Sequence, residues 1–298
     1  MEVKNNRKLS IVNSQSINKS YGEVRALKDI SFSVEKGEIF GLIGPDGAGK
    51  TTLFRILTSL ILADSGQAKV DGLDVVGDYK ELRKRVGYMP GKFSLYSDLS
   101  VEENLNFFAT IFNTTVEENY SLIAPIYKQI EPFKTRRAGK LSGGMKQKLA
   151  LSCALIHKPV VLFLDEPTTG VDPVSRKEFW EMLKHLKMDG ITIIVSTPYM
   201  DEAKLCDRIA LIQQGEIKGI DTPENIVKQF PEKLYAVESD NNYQLLLQLR
   251  ENPAVQSVYM FGDSLHLTLH SPLSTLNSPL KEIEPTIEDC FIHLMNQT

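Results

Sequence analysis

One segment of the sequence combines glycines, a lysine and two threonines in a spacing that binds phosphate. It reads Gly44, Pro45, Asp46, Gly47, Ala48, Gly49, Lys50, Thr51 and Thr52, in the pattern G-x-x-x-x-G-K-[ST]. The glycines let the backbone curl so that successive N–H groups point at phosphate oxygens, and the following helix directs its positive end there. Lys50 would bridge the β- and γ-phosphates, and the Thr51 hydroxyl would bind Mg²⁺. The loop predicts a nucleoside triphosphate site.

Two acidic residues follow a wholly apolar stretch further along the chain. Val160–Leu164 predicts a buried strand, which would deliver Asp165 and Glu166 to the carboxyl end of a sheet, where α/β folds bind ligands. Asp165 suits a Mg²⁺ contact, direct or through water, and Glu166 is placed to polarise a water for attack on the γ-phosphate. Taken alone, such a pair is more often solvated than catalytic. Together with the phosphate loop it predicts a catalytic site.

The elements that must position these residues alternate between strands and helices. Glu38–Ile43 predicts a strand before the phosphate loop, and Thr51–Leu60 predicts a helix after it. Ser142–Ile156 predicts an amphipathic helix capped by Ser142, with Met145, Leu149, Cys153 and Ile156 on one stripe. Alternation of this kind indicates an α/β sheet with right-handed crossovers.

The composition of the chain excludes some classes of protein. Over 298 residues the formal net charge is −4, which argues against a general nucleic-acid binder because that class needs a basic face. Cys153, Cys206 and Cys290 are widely spaced, so we expect buried, unpaired thiols. The longest apolar stretches are too short to cross a bilayer, and the N-terminus resembles no signal peptide. We therefore expect a cytosolic chain that reaches a membrane through a partner.

A third motif resembles a known family. Leu141-Ser142-Gly143-Gly144-Met145-Lys146-Gln147 is similar to the signature sequence of the ATP-binding cassette (ABC) ATPases, and it lies between the phosphate loop and the acidic pair. Tyr21 matches the aromatic residue that stacks on adenine, and Gly170–Asp172 matches the loop that faces a partner subunit. The resemblance covers about Ser16 to Ile226, and the tail TIEDCFIHLM resembles the end of cassettes that serve bacterial export- and drug-type permeases.

The resemblance implies a fold and a way of working. The fold would be an α/β P-loop NTPase of ABC type, with a parallel core sheet, an antiparallel β subdomain and a helical subdomain. Two cassettes would pair head to tail, with Mg²⁺ and ATP held between one phosphate loop and Ser142, Gly143 and Gly144 of the other subunit. A serine and glycine N–H groups at a helix N-terminus form a second anion cradle. Separate transmembrane permease subunits would hold the dimer on the inner face of the membrane.

A change in pattern at Pro231 suggests how the chain is divided. We expect a flexible N-terminus over residues 1–14, an ATP-binding domain over 15–230 and a small C-terminal α+β unit over 231–298. The helical subdomain would lie at about 89–158. The tail predicts a strand from about Leu234, helices at Tyr243–Arg250 and Ile287–Met295, and paired strands at Val255–Tyr259 and Leu265–Leu269.

Two positions depart from the family pattern. Gly91 stands where the family has a glutamine that contacts Mg²⁺ or the attacking water, in a loop that meets the permease. Pro198 stands where the family has a histidine near the γ-phosphate. Glycine brings no side-chain acceptor, and proline brings neither a side-chain donor nor a backbone N–H. We expect ATP binding with slow or absent hydrolysis in this chain's own site.

Several interpretations stay open at this point. The favoured one is the ATPase subunit of an exporter, paired with a different, complete cassette rather than with a second copy. An alternative is a non-hydrolysing scaffold that completes the site of another cassette, and another is that water or a neighbouring side chain compensates and hydrolysis persists. An ABC ATPase of translation or repair is less favoured, because such chains carry tandem cassettes or long coiled-coil insertions.

Overall fold

The computed structural model describes residues 9–272 and 279–296. The chain divides into two compact units, residues 1–223 and 224–298. The division falls a few residues before the expected boundary at residue 230. A short helix explains the difference, because the Ile226 carbonyl on it accepts a hydrogen bond from the Cys290 thiol of the second unit over 3.6 Å. In the described ranges, no helix has the length and apolar character that a membrane span needs.

The first unit is built on an antiparallel sheet and a largely parallel one. In chain order its elements are β1 (Ser10–Tyr21), β2 (Val24–Glu35), β3 (Ile39–Ile43), α1 (Lys50–Leu57), β4 (Ser65–Val70), β5 (Leu73–Asp74), α2 (Tyr79–Arg85), β6 (Val86–Met89), α3 (Val101–Ile111), α4 (Val116–Tyr127), α5 (Gly143–Leu155), β7 (Val161–Asp165), α6 (Pro173–Met188), β8 (Thr192–Thr197), β9 (Arg208–Gln213) and β10 (Glu216–Asp221). The antiparallel sheet has the order β2–β1–β4–β5, and the core sheet has the order β10–β9–β3–β8–β7–β6. Strands β6, β7, β8, β3 and β9 run parallel, while β10 pairs antiparallel with β9.

The core sheet is buried on both faces, as its apolar strands predict. Every residue of β3, β7 and β8 is buried. Because these strands are parallel and in register, Ile43 lies beside Thr197, and Asp165 lies beside Ser196, at the same carboxyl edge. The phosphate loop and the acidic pair therefore leave the sheet at one edge.

The antiparallel sheet begins earlier in the chain than the sequence suggests. Residues 10–14 were expected to belong to a flexible N-terminus, yet they form the start of β1 and pair with β2 and β4. Ile11 and Val12 are buried there and anchor the start of the strand by apolar contacts. Because their neighbours in the sequence are polar, the sequence pattern does not indicate this strand. The expectation of flexibility is wrong from Ser10 to Ser14, and residues 1–8 lie outside the described part.

The helices between β6 and β7 begin at polar caps. Ser100 and Glu103 form a reciprocal capping box at the start of α3, and Thr115 and Glu118 form another at α4. Ser142 caps α5, as predicted. The expected single stripe on α5 is incomplete, because Leu151 and its neighbours in the second half are also buried. This half of α5 packs against α3, α4 and β6 at once, so more than one face is covered.

The second unit is a small α+β fold. Its elements are α7 (Pro223–Lys228, which begins at the division), β11 (Leu234–Val237), α8 (Asn242–Arg250), β12 (Val255–Phe261), β13 (Ser264–Leu269), β14 (Lys281–Ile283) and α9 (Ile287–Asn296). The antiparallel order is β12–β13–β11–β14. The predicted helices and paired strands are present. The three-residue strand β14 was not predicted, because a stretch that short carries no period of its own.

A buried carboxylate fastens α9 onto this sheet. Asp289 accepts hydrogen bonds from His266 Nδ1, Tyr259 and Thr286, each at 2.7 Å. Burial raises the pKa of Asp289, but the hydrogen bonds from His266, Thr286 and Tyr259 outweigh burial and hold this pKa below its usual value. The predicted burial of the three cysteines is also confirmed, and burial raises the pKa of each thiol.

Candidate nucleotide-binding site

The phosphate loop connects β3 to α1 and needs glycine at two close approaches. A Cβ atom on Gly44 would collide with the Ile212 carbonyl oxygen, and the Gly44 N–H donates to the Thr197 carbonyl over 3.2 Å. Gly49 has φ 105°, and a Cβ atom there would lie 2.5 Å from the Ala26 carbonyl oxygen. Glycine is therefore required at both positions by the packing of the loop on β2 and β9.

Lys50 is curled back over the loop that precedes it. Its Nζ donates to the carbonyl oxygens of Gly44 at 2.8 Å and Pro45 at 3.0 Å, and it forms an ion pair with Glu166 Oε1 at 3.1 Å. The Lys50 side chain is only 3% exposed, whereas that of Glu166 is 23% exposed. A buried ammonium and a partly exposed carboxylate thus face each other at the carboxyl edge of the sheet.

Ser196 on β8 holds the acidic pair in place. Its hydroxyl donates to Asp165 Oδ1 over 2.7 Å, and its carbonyl and hydroxyl oxygens accept from the Glu166 N–H at 3.0 and 3.1 Å. Glu166 has φ 49°, a left-handed conformation that is strained for a residue other than glycine. The Ser196 contacts hold this strained backbone, so the Glu166 side chain leaves the sheet towards Lys50.

Asp165 is more deeply buried than Glu166 and, in addition to burial, its negative charge raises the pKa of a neighbouring tyrosine. Its side chain is buried, and Tyr88 lies close to it. Burial and the negative charge of Asp165 raise the pKa of Tyr88 to about 12, so the phenol stays protonated. No cluster of three His, Cys, Asp or Glu side chains suited to a metal ion occurs within residues 9–272 or 279–296.

One open cleft of about 630 Å³ brings together seven of the predicted site residues, while Asp165 lies outside its wall. Its walls include Gly47, Gly49, Lys50, Thr51, Thr52, Glu166 and Tyr21. The Tyr21 ring is 49% exposed at the rim, with Lys19 Nζ 5.7 Å from its centroid. Tyr21 thus presents a free aromatic face beside the loop. Gly44, Pro45, Asp46 and Ala48 shape the loop without forming the cleft wall.

Several residues on the cleft wall were not predicted from the sequence. Arg25 and Lys28 come from β2, and Gln214 comes from the turn between β9 and β10. Lys28 also forms an ion pair with Glu216 at 3.3 Å. Arg25 and Lys28 lie close to Tyr21 in sequence, which is a signal that could have suggested them. Gln214 gave no such signal, because its place depends on how β10 folds back.

The Ser142–Gly144 segment lies apart from this cleft. Ser142 caps α5 by accepting the Met145 N–H over 3.3 Å, and Ser142 and Gly143 are exposed. A Cβ atom on Gly144 would lie 2.9 Å from the hydroxyl of Ser175 on α6. Asp172 caps α6, the helix that carries Ser175, and a Cβ atom on Gly143 would lie 3.8 Å from the Gly170 carbonyl oxygen. The segments Ser142–Gly144 and Gly170–Asp172 therefore lie side by side.

Gly91 lies directly against the acidic pair. A Cβ atom at this position would be 2.9 Å from the Asp165 carbonyl oxygen and 3.6 Å from Glu166 Cβ. Real Cβ atoms essentially never approach within 3.0 Å, so any larger residue must shift this loop or the acidic pair. The structure gives a packing reason for glycine that the sequence did not contain.

Pro198 begins a loop held by a buried carboxylate. Glu202 is 1% exposed and accepts hydrogen bonds from Thr197 at 2.6 Å and Thr168 at 2.7 Å. Arg176 Nε lies 3.7 Å from Glu202, and the Arg176 guanidinium lies 4.2 Å from the centroid of the Tyr199 ring. Glu202 was not predicted as a functional residue, because the sequence of a polar loop does not indicate that one of its acidic residues is buried.

An apolar groove runs beside the Gly91 loop. It has a volume of about 330 Å³ and includes Tyr88, Met89, Pro90 and Ser94 together with residues of α3 and α5. Ile111 at the end of α3 is 54% exposed on its wall. The groove therefore offers an exposed apolar surface between the core sheet and the helices.

The chain is similar to known ATP-binding proteins of ABC transporters. A family model described as "ABC transporter" matches residues 27–169. The chain is 39% identical over 285 residues to "Probable multidrug ABC transporter ATP-binding protein YbhF" of Escherichia coli (strain K12), which covers 91% of this chain and 49% of that protein. The chain thus spans about half the length of that relative.

A second relative matches along most of its own length. The chain is 35% identical over 289 residues to the daunorubicin resistance ATP-binding protein DrrA2 of Streptomyces coeruleorubidus, covering 93% of this chain and 87% of that protein. Among solved structures, the dimeric post-hydrolysis state of the ATP-binding cassette MJ0796 bound to ADP and Pi has a TM-score of 0.64. It is 27% identical, covering 71% of this chain and 98% of that one.

Proposed function

Because the chain belongs to the ABC transporter family of ATP-binding proteins, we propose that it is the ATP-binding subunit of an exporter. The observation that carries the proposal is the single cleft that unites the phosphate loop, Lys50, Glu166 and the exposed ring of Tyr21. Export is supported by the names of the relatives, which refer to multidrug transport and daunorubicin resistance. Permease subunits would place the chain on the inner face of the membrane.

ATP binding follows from the chemistry of the cleft. The curled loop directs N–H groups at phosphate oxygens, and Lys50 supplies a buried positive charge beside them. Thr51 and Thr52 add hydroxyls at the start of α1, while the Tyr21 ring takes the adenine by stacking. The base and the triphosphate thus have separate, suitable surfaces in one cleft.

A Mg²⁺ ion fits the donors that the chain provides. Thr51 offers a hydroxyl and Asp165 a carboxylate, which are hard oxygen ligands of the kind that Mg²⁺ prefers beside phosphate. When bound, the ion would supply positive charge that offsets the negative charge of the nucleotide phosphates. Ser196 fixes the orientation of Asp165 through the 2.7 Å hydrogen bond.

Glu166 is the residue that would orient the attacking water. Its carboxylate lies 3.1 Å from Lys50, on the side of the cleft where the terminal phosphate would bind. Gly91 and Pro198 offer no side-chain group to share this task. Loss of a positioning group costs about 10²–10⁴ in rate, so we infer slow or absent hydrolysis in this site.

A second candidate function is an ATP-binding scaffold that completes another cassette's site. Two observations favour it: Gly91 packs too closely on Asp165 for a side chain, and Pro198 brings no donor. The exposed Ser142 and Gly143 at the start of α5 remain available to serve the ATP of a partner. In this arrangement the chain pairs with a different, complete cassette, and a pair of identical chains would have both sites impaired.

The apolar groove beside the Gly91 loop is where a permease would dock. Resemblance to the family places a permease contact at this loop, and the groove adds exposed apolar surface of the right kind, including Ile111. We assign it to a short amphipathic helix of the permease, which would bury its apolar face there.

Two measurements on the tagged chain test the proposed function. The purified chain should bind ATP at equilibrium, and the chain extracted from membranes in mild detergent should co-purify with a protein that spans the membrane several times. Substituting Ile111→Asp in the groove should remove that protein while leaving ATP affinity unchanged. A chain that binds no ATP, or that co-purifies with no membrane protein, would refute the proposal.

A further inference from the structure

The second unit contains a cavity of its own. It has a volume of about 570 Å³ and is bounded by the segment 230–232, strand β12, strand β13 and helix α9. Cavities of roughly 300–1,000 Å³ are typical of sites for small molecules. All the residues that form it lie in the second unit, so its shape does not depend on the nucleotide cleft.

A carboxylate on the cavity wall is only half satisfied. Glu232 Oε1 accepts a hydrogen bond from Gln256 Nε2 over 2.5 Å. Glu232 Oε2 is buried and has no hydrogen-bond partner, and no ion pair of Glu232 occurs among the residues that the structure describes. Buried polar atoms nearly always have a partner, so the residues that the structure describes leave the charge of this carboxylate uncompensated at the cavity wall.

Aromatic rings line the same cavity as this carboxylate. The rings of Phe230 and His293 have their centroids 5.2 Å apart, and Val258 adds an apolar surface to the cavity. The hydroxyls of Ser257 and Thr268, joined at 2.9 Å, contribute a polar floor. A carboxylate beside aromatic faces attracts a positive charge that carries an apolar group.

The donor set argues against a metal ion in this cavity. Divalent ions need several oxygen, nitrogen or sulfur ligands, and the part of the chain that the structure describes holds no group of three His, Cys, Asp or Glu side chains suited to one. Ser257 and Thr268 offer only hydroxyl groups, which already form a hydrogen bond with each other. An organic cation needs just one carboxylate and an aromatic or apolar contact.

We propose that this cavity binds a small organic cation, namely a primary ammonium that carries an apolar or aromatic group. The uncompensated Glu232 carboxylate on the cavity wall attracts the ammonium, and the apolar group lies against Phe230 and Val258. The site is separate from the proposed nucleotide site, so binding of the cation does not require ATP.

Calorimetric titration of the full chain with benzylammonium tests this proposal. We expect one site per chain, and we expect Glu232→Gln to weaken binding at least tenfold because it removes the charge and keeps the shape. Glu251→Gln, which removes an exposed carboxylate at the end of α8, should change nothing. Lys50→Ala should also bind benzylammonium as the unmodified chain does, which separates this test from the proposed ATP site.

A second ligand keeps the test decisive if Glu232→Gln fails to fold. Benzyl alcohol has the same ring without the charge, and the unmodified chain should bind it at least tenfold more weakly than benzylammonium. Unchanged thermal unfolding and ATP affinity would show that Glu232→Gln is folded. Equal affinity for the two ligands, no binding of benzylammonium at millimolar concentration, or full affinity in a folded Glu232→Gln variant would overturn the proposal.

Discussion

Two parts of the candidate nucleotide site, the phosphate-loop cleft and the loops at Gly91 and Pro198, differ in the side-chain groups that they supply. On the phosphate-loop side, Lys50 and Glu166 bring opposite charges within 3.1 Å, and Asp165 is anchored through Ser196. The loops at Gly91 and Pro198 do not form part of the cleft wall. Gly91 lies close to the Asp165 backbone and Glu202 accepts a hydrogen bond from Thr197, yet neither loop residue has a side-chain group that could orient a water. If the proposed function is correct, ATP binding and turnover are separable in this chain, because the groups proposed for binding are present while fewer groups are available to orient a water.

The largest effect is expected from replacing Lys50, which we propose binds the phosphates of ATP. Replacing Lys50 by alanine removes a buried charge from the phosphates, and hydrogen bonds to charged groups contribute about 1.5–3 kcal/mol each. We expect Lys50→Ala to lower the equilibrium affinity for ATP on the order of 100-fold. Lys36→Ala, at an exposed lysine away from the cleft, is the matched control and should bind as the unmodified chain does. Equal ATP affinity in both variants would break the comparison.

The next largest effect is expected from placing a histidine at position 198, where the chain has no side-chain donor. Pro198→His supplies a donor after β8, and general acid–base or positioning groups contribute about 10²–10⁴ when complete. With Gly91 still lacking a side chain, we expect a smaller effect, namely a Mg-ATP turnover about tenfold above the Lys50→Ala background, and little change in ATP affinity. Adding Glu166→Gln to this variant should abolish the gain. A Pro198→His variant whose turnover does not rise would show that the missing group is not what limits the reaction.

Gly91→Ala should have a smaller effect that the sequence alone would not predict. Its Cβ atom would lie 2.9 Å from the Asp165 carbonyl oxygen, so the loop or the acidic pair must move. Overpacking of this kind costs about 1–3 kcal/mol, and we expect the lower end because the residue is exposed on its other side. Chemical denaturation measures it, with Gly219→Ala as the control because nothing lies within 4 Å of that position. Equal stability of the two variants would remove the packing reason for glycine.

The smallest prediction concerns the support of the Pro198 loop. Thr168→Val removes one of the two hydroxyls that donate to buried Glu202, which should lower the free energy of unfolding by about 1 kcal/mol. Thr169→Val, one residue further on and exposed, should lower it by less. Urea unfolding of both variants distinguishes them, and an unaffected Thr168→Val would mean that Glu202 does not hold this loop.

Much of the fold could be predicted because local patterns determine it. The wholly apolar Val160–Leu164 indicates a buried parallel strand, and Ser142 and Asp172 cap helices where the sequence places caps. The start of β1 could not be predicted, since Ile11 and Val12 are anchored by strands distant in sequence. Strand β14 was missed for the same reason, because pairing with β11 creates it.

The candidate site divides in the same way. The spacing of Gly44–Thr51 and the acidic pair after an apolar strand predict which side chains meet at the cleft. The roles of Ser196 and Glu202 depend on hydrogen bonds across neighbouring elements, which no spacing reveals. Likewise, the close approach of Gly91 to Asp165 appears only when β6 and β7 lie side by side.

The most direct test of separable binding and turnover is the rate of Mg-ATP hydrolysis by the purified chain, with Lys50→Ala as the background. We predict measurable ATP binding by the unmodified chain and a turnover no higher than that of Lys50→Ala. A turnover of about 1 s⁻¹ or more, within the ordinary range for enzymes and lost in Lys50→Ala, would contradict the account. That result would mean that other groups replace those absent at Gly91 and Pro198.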